Sequence, residues 1–170
     1  ARAIPQFLNP LLTSQEITVE AQLATELSGF LMAEDMSDTL VIAVSQSGTT
    51  TDTNRTVDLI RQRGGHIIAI VNRRGSDLVA KSHGVLYTSD GRDVEMSVAS
   101  TKAFYAQVAA AVLLSSALAN LIDEEQNQTD LLSALQALPQ AMREVFGTRS
   151  AIATAAQRHT PQKRYWAVVG

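Results

Sequence analysis

Five hydroxyl or amide side chains surround a single glycine in Ser45-Gln46-Ser47-Gly48-Thr49-Thr50. Residues of this kind hold anions well: the short hydroxyls of Ser45, Ser47 and Thr50 and the amide of Gln46 donate hydrogen bonds without bringing charge. No Lys or Arg lies within the turn, so neutral donors would do the holding. The elements on either side fit that task. Leu40–Ser45 is apolar and β-branched, the composition of a strand buried on both faces. After the turn, Val57 and Ile60 lie three apart among Asp52, Arg55, Asp58 and Arg61, the pattern of an amphipathic helix. A strand that passes through a tight polar turn into a helix N-terminus directs unpaired backbone N–H groups and the positive end of the helix dipole at one place. The plainer alternative stays open, because Thr49 or Thr50 can do no more than start the helix as an ordinary N-cap.

Glu95 to Phe104 is the second concentration of polar groups against apolar chain. Ser100 and Thr101 stand at another helix N-terminus, placed to form a second wall of the same anion pocket. Other chemistry is poorly represented. With no cysteine in the chain, disulfides, thiolate metal sites and cysteine nucleophiles are excluded. Of the three histidines, His66 falls inside a strand, His83 precedes a glycine, and His159 lies near the far end. None stands at metal-ligand spacing from a second histidine or an acid, and no metal or cofactor is expected. Asp123-Glu124-Glu125 reads as a solvated helix end.

The chain has 170 residues, 45% of them apolar, enough for one sizeable core. The formal charge is -3, and no block of basic residues offers a footprint for nucleic acid. The longest apolar run, within Ala103 to Leu121, is broken by Gln107, Ser115 and Ser116 and reads as a buried helix, not a membrane span. No secretory leader pattern stands at the start, so a cytoplasmic location without membrane contact is expected.

Ala1 to Leu12 carries Ile4, Phe7, Leu8 and Leu11 at helical spacing. Ile17–Val19 reads as a short strand, and Gln22 to Phe30 as a helix with Leu23 and Leu27 on one face. Thr51 to Arg63 is a helix stopped by Gly64-Gly65. His66–Val71 is another apolar strand, Ser76 caps a short helix through Lys81, and Val85–Thr88 is a further strand. Alternation of this kind predicts βαβ units around a parallel sheet, with ligands beyond the carboxyl ends of the strands. A long helix to about Ile122, helices from Thr129 to Phe146 and Thr148 to His159, and a strand-like Tyr165–Gly170 complete the chain.

SQSGTTTDT, the VASTKAF run and LQALP together resemble the sugar isomerase (SIS) domain family. Within it, they are similar to the first of two such domains in glutamine–fructose-6-phosphate aminotransferases. The resemblance implies a three-layer αβα sandwich around a mostly parallel, flavodoxin-like sheet of five strands. It also implies roles: Ser45, Gln46, Ser47 and Thr50 match the family's phosphate-binding turn, and the Val98 carbonyl and Ser100 match sugar-contacting positions. Thr49 stands where these synthases more often have Glu. Lys102 is expected to organise a helix start and not to form a Schiff base, since the family's lysine belongs to a second domain.

Ala1 to Leu12 matches the helix that follows the family's first strand, so the chain is expected to lack its own first strand. The expected organisation is an SIS domain over 1–128, a helical linker over 129–164, and over 165–170 a strand beginning a second SIS domain, which would fill the vacant place. The groups that move protons in the family would then lie outside this chain, so no catalytic residue is assigned and the piece alone is expected to be inactive. The implied partners are a hexose 6-phosphate (fructose 6-phosphate or glucosamine 6-phosphate), a second SIS domain and a second copy of the chain. A non-catalytic sugar-phosphate sensor or a dimerisation module is the alternative.

Overall fold

The computed structural model describes residues 1–12, 17–90, 102–122, 129–159, 165 and 167. The chain forms two compact units, Ala1–Gln128 and Thr129–Gly170. In the first, helix α1 (Ala3–Leu8) runs into a 3-10 turn at Asn9–Leu11, where Pro10 supplies the fixed φ of a first helical turn. A short α2 (Ala24–Glu26) widens into a π-turn at Leu27–Leu31. Strand β1 (Leu40–Ser45) leads to α3 (Thr51–Gln62), β2 (His66–Val71), α4 (Asp77–Lys81), β3 (Gly84–Tyr87) and the long α5 (Lys102–Ile122).

The three strands among the described residues are parallel in the order β1-β2-β3. Register aligns Ser45 with Val71 and Val71 with Tyr87, so all three carboxyl ends meet at one edge. Strand alternation sends the side chains of β2 to two cores. Ile70 joins Ile4, Leu8, Ala110 and Leu114 on the α1–α5 side. Ile67, Ala69 and Val71 join Val57, Ile60 and Leu78 on the α3–α4 side. Helices therefore cover both faces, giving the three-layer α/β arrangement. Helix α5 is long and apolar enough to cross a membrane by length and composition, but its buried Ala110, Ala111 and Leu114 pack in the first core.

Helix α3 ends at Gly64, whose φ of +85° is the left-handed conformation that closes a helix, and the Gly65 N–H returns to the Ile60 carbonyl at 3.0 Å. The Arg63 guanidinium reaches back to the carbonyls of Met32 and Ala33 at 2.9 and 2.6 Å, tying the loop before β1 to this helix end.

Three local expectations are corrected. Ile17–Val19 forms no strand: the Val19 carbonyl accepts from Asn9 Nδ2 at 3.1 Å instead of entering a ladder. Leu23 and Leu27 do not share a buried face, because Leu23 is exposed while Leu27 packs against the second core. The strand buried on both faces is β2, whose Ile67, Ala69, Ile70 and Val71 are inaccessible, whereas β1 begins on an exposed Leu40. Among the described residues β1 lies at the sheet edge, and only an interior strand gains cover from neighbours on both sides. In the second unit α6 (Thr129–Gly147) continues through Pro139 and is followed by α7 (Arg149–His159). Tyr165 and Ala167 carry no regular structure, and the rest of the predicted strand lies outside the described residues.

Candidate functional site at the carboxyl edge of the sheet

At the end of β1 the chain folds into a turn held from within. Ser45 is buried, and its Oγ accepts the Gly48 N–H at 3.0 Å. Gly48 has φ +66°, and a Cβ there would lie 2.1 Å from Ser76 Oγ, so only glycine fits. Ser47 Oγ accepts two hydrogen bonds, from the Thr49 N–H at 3.3 Å and Thr49 Oγ1 at 3.1 Å. Its own proton is therefore left for an outside acceptor. Thr50 is the N-cap of α3 but makes no side-chain capping bond, which leaves its hydroxyl uncommitted.

The carbonyls of the turn are drawn inward. Gln46 O accepts the N–H groups of Asn72 (3.1 Å) and Arg73 (3.3 Å), and Gly48 O accepts the Leu78 N–H (3.1 Å) and Asn54 Nδ2 (3.0 Å). A trans peptide places its C=O and N–H on opposite sides. With the carbonyls facing the scaffold, the N–H groups of Ser47 and Thr49 face away from it. Among the described residues no hydrogen bond is made by the N–H groups of Gln46, Ser47, Thr50, Thr51 and Asp52. They surround the positive end of a twelve-residue helix. In chemical terms this is a cradle of neutral donors suited to a tetrahedral oxyanion.

The predicted residues fall into two groups. Ser45, Gln46, Ser47 and Thr50 lie together in this turn, with Ser45 facing inward as its brace. Val98 and Ser100 lie outside the described residues. Lys102 is the exposed first described residue of α5. Ser76 stands at the N-cap of α4 as expected, yet makes no capping bond; its Oγ is buried against Gly48 without a partner.

Several polar residues at this edge escaped the sequence reading. Asn72, the first residue after β2, is buried, and its Oδ1 accepts from the hydroxyls of Thr88 and Ser89. It thereby links the ends of β2 and β3. The Arg74 guanidinium lies 4.1 Å above the Tyr87 ring. The available signal was positional: each apolar strand run ends on a polar residue, and in a parallel sheet those residues collect at one edge. The absence of cations from the turn itself remains, but Arg73 joins it through the backbone.

The histidines are elsewhere. His66 and His83 sit at the amino ends of β2 and β3, with ring centroids 5.2 Å apart, a pairing that their separation in sequence conceals. His83 Nδ1 accepts the Ile67 N–H at 3.0 Å, which puts the ring proton on Nε2 and fits a structural role. No group of three or more His, Asp or Glu able to hold a metal occurs among the described residues.

The chain is 39% identical over 116 residues to the glutamine–fructose-6-phosphate aminotransferase [isomerizing] of Corynebacterium glutamicum, covering 67% of this chain and 18% of that protein. It is 36% identical over 150 residues to the enzyme of the same name from Mycolicibacterium smegmatis, covering 85% and 23%. The chain thus spans about a fifth of the length of these relatives. In three dimensions it is similar to the C-terminal domain of glucosamine-fructose-6-phosphate aminotransferase from Francisella tularensis, with a TM-score of 0.73, 22% identity, and coverage of 91% of this chain and 42% of that one. The SIS domain family matches residues 6–117, which include the β1–α3 turn and most of α5, and the chain belongs to that family.

Proposed function

We propose that this chain is the phosphosugar-binding domain of a glucosamine-6-phosphate synthase-like enzyme, and that the Ser45–Thr50 turn clamps the phosphate of a hexose 6-phosphate. The observation that carries this reading is the orientation of the turn: two carbonyls, Gln46 O and Gly48 O, are each held by two donors on the scaffold side, leaving the Ser47 and Thr49 N–H groups facing outward at the α3 N-terminus. Ser47 Oγ–H, Thr50 Oγ–H and the Gln46 amide add side-chain donors.

Conversion of a ketose 6-phosphate to an aldose or amino-aldose 6-phosphate requires the phosphate fixed while a proton moves between C1 and C2. In our reading this chain supplies the fixing. Val98 and Ser100 contact the sugar, and the proton-transferring groups come from a second SIS domain. We assign the domain to a cytoplasmic homodimer on the same reading.

Titration calorimetry of the chain with fructose 6-phosphate, glucosamine 6-phosphate and inorganic phosphate tests it. Saturable binding is expected for both sugar phosphates. The Ser47→Ala change should weaken it by about 1–2 kcal/mol, the cost of one hydrogen bond to a charged group. Absence of heat with all three at millimolar concentration would leave a dimerisation scaffold as the better account. Unchanged affinity in Ser47→Ala would remove that hydroxyl from the site.

A further inference from the structure

We infer that Asn54 is a positioning residue for the anion site, turning the Gly48–Thr49 peptide so that the Thr49 N–H faces the ligand; the inference rests on the phosphate reading above. Asn54 is the fourth residue of α3, one turn in from its N-cap, and is 7% exposed. Its Nδ2 donates to Gly48 O and to Thr50 O, both at 3.0 Å. Gly48 O is the acceptor that decides the geometry. Held from below by Asn54 Nδ2 and the Leu78 N–H, it fixes the plane of the 48–49 peptide and sends the Thr49 N–H to the opposite side. There the N–H donates a long bond to Ser47 Oγ at 3.3 Å, one it can share with a ligand oxygen, while the Ser47 hydroxyl keeps its own proton for the same ligand.

Stability alone does not account for an asparagine at this place. Gly48 O keeps the Leu78 N–H without it, and Thr50 O keeps the Asn54 backbone N–H, so removing the side chain orphans neither carbonyl. Meanwhile, among the described residues, Asn54 Oδ1 is buried with no partner, a cost that an apolar side chain would not carry. Asparagine is also a poorer helix former than leucine. What the side chain does contribute is a second donor that stops the Gly48 peptide from rotating, and glycine is the residue whose flanking peptides rotate most freely. The ligand class that benefits is one whose charged oxygens sit directly above that peptide: a phosphoryl group approaching along the α3 axis.

The test compares the full 170-residue chain with Asn54→Leu and the isosteric Asn54→Asp, using inorganic phosphate as the calorimetric probe and thermal unfolding as the control. Asn54→Leu should keep or raise the melting temperature while the phosphate Kd rises roughly tenfold, the equivalent of one charge-assisted bond lost. Asn54→Asp keeps the shape but has no donor when ionised. Its Kd relative to wild type at the same pH should be largest near neutrality and shrink as pH falls and the carboxyl gains a proton to donate. Phosphate affinity within about twofold of wild type in both variants would overturn the assignment while leaving the site standing. A loss of affinity only in step with lost thermal stability would overturn it as well. Where the wild-type chain binds the sugar phosphates but not inorganic phosphate, fructose 6-phosphate replaces it as the probe for the same comparison; no binding of any of the three would instead sink the phosphate reading, and this inference with it.

Discussion

Gly48 joins two constraints in one residue, a φ of +66° and the contact of its α-carbon face with Ser76. The two can be separated. Gly48→Ala should cost at least roughly 2 kcal/mol, part from the left-handed backbone and part from a Cβ built 2.1 Å from Ser76 Oγ. Ser76 Oγ has no hydrogen-bond partner, so Ser76→Gly by itself should cost little, and the double variant should regain the steric share. Urea unfolding of the four proteins measures this; a double variant no more stable than Gly48→Ala would show that the contact is not the source of the strain. The chemistry of this turn was legible in the sequence because Ser, Gln, Thr and Gly declare their donors and their freedom directly. Asn54 and Asn72 were not, because their importance comes from which carbonyl or hydroxyl lies opposite, and that is decided by the fold.

At the scale of elements, β2 and α3 carry the scaffold. Ile60 on α3 is fully buried beside Ile67 and Val71 of the second core, while on the same helix Asp58 meets Lys81 of α4 at 2.7 Å with both side chains partly exposed. Burial should dominate. Ile60→Ala is expected to cost about 3 kcal/mol, and Lys81→Ala less than about 1 kcal/mol because solvent screens the pair. Chemical denaturation of both variants checks the ranking, and equal costs would mean that the ion pair, not the core, ties α3 to α4. These elements were readable because apolar runs of five and a helical stripe ending in Gly-Gly leave little choice of structure. Ile17–Val19, and the inward face of the helical Gln22–Phe30 segment, were misread for a shared reason. Each has the right residue types, but among the described residues no neighbouring edge pairs with the first, and the second shifts into a π-turn at Leu27–Leu31 that changes which side chains face inward. The His66–His83 pair belongs to this scale too, since only parallel pairing of β2 with β3 brings the two rings together.

At the scale of the whole molecule, net charge does not favour an anion. The net charge is -3, and the only cations joined to the edge by the contacts described are Arg73, through its backbone, and Arg74, stacked on Tyr87. On the proposed reading binding comes from the short-range donors of the turn, which predicts a local response and weak dependence on salt. Backbone-amide NMR of the chain titrated with fructose 6-phosphate tests this most directly. Saturable shifts concentrated at the Ser47, Gly48, Thr49, Thr50 and Thr51 amides are the predicted result. No saturable shift, or shifts confined to α6 and α7 while those five amides stay still, would contradict the account.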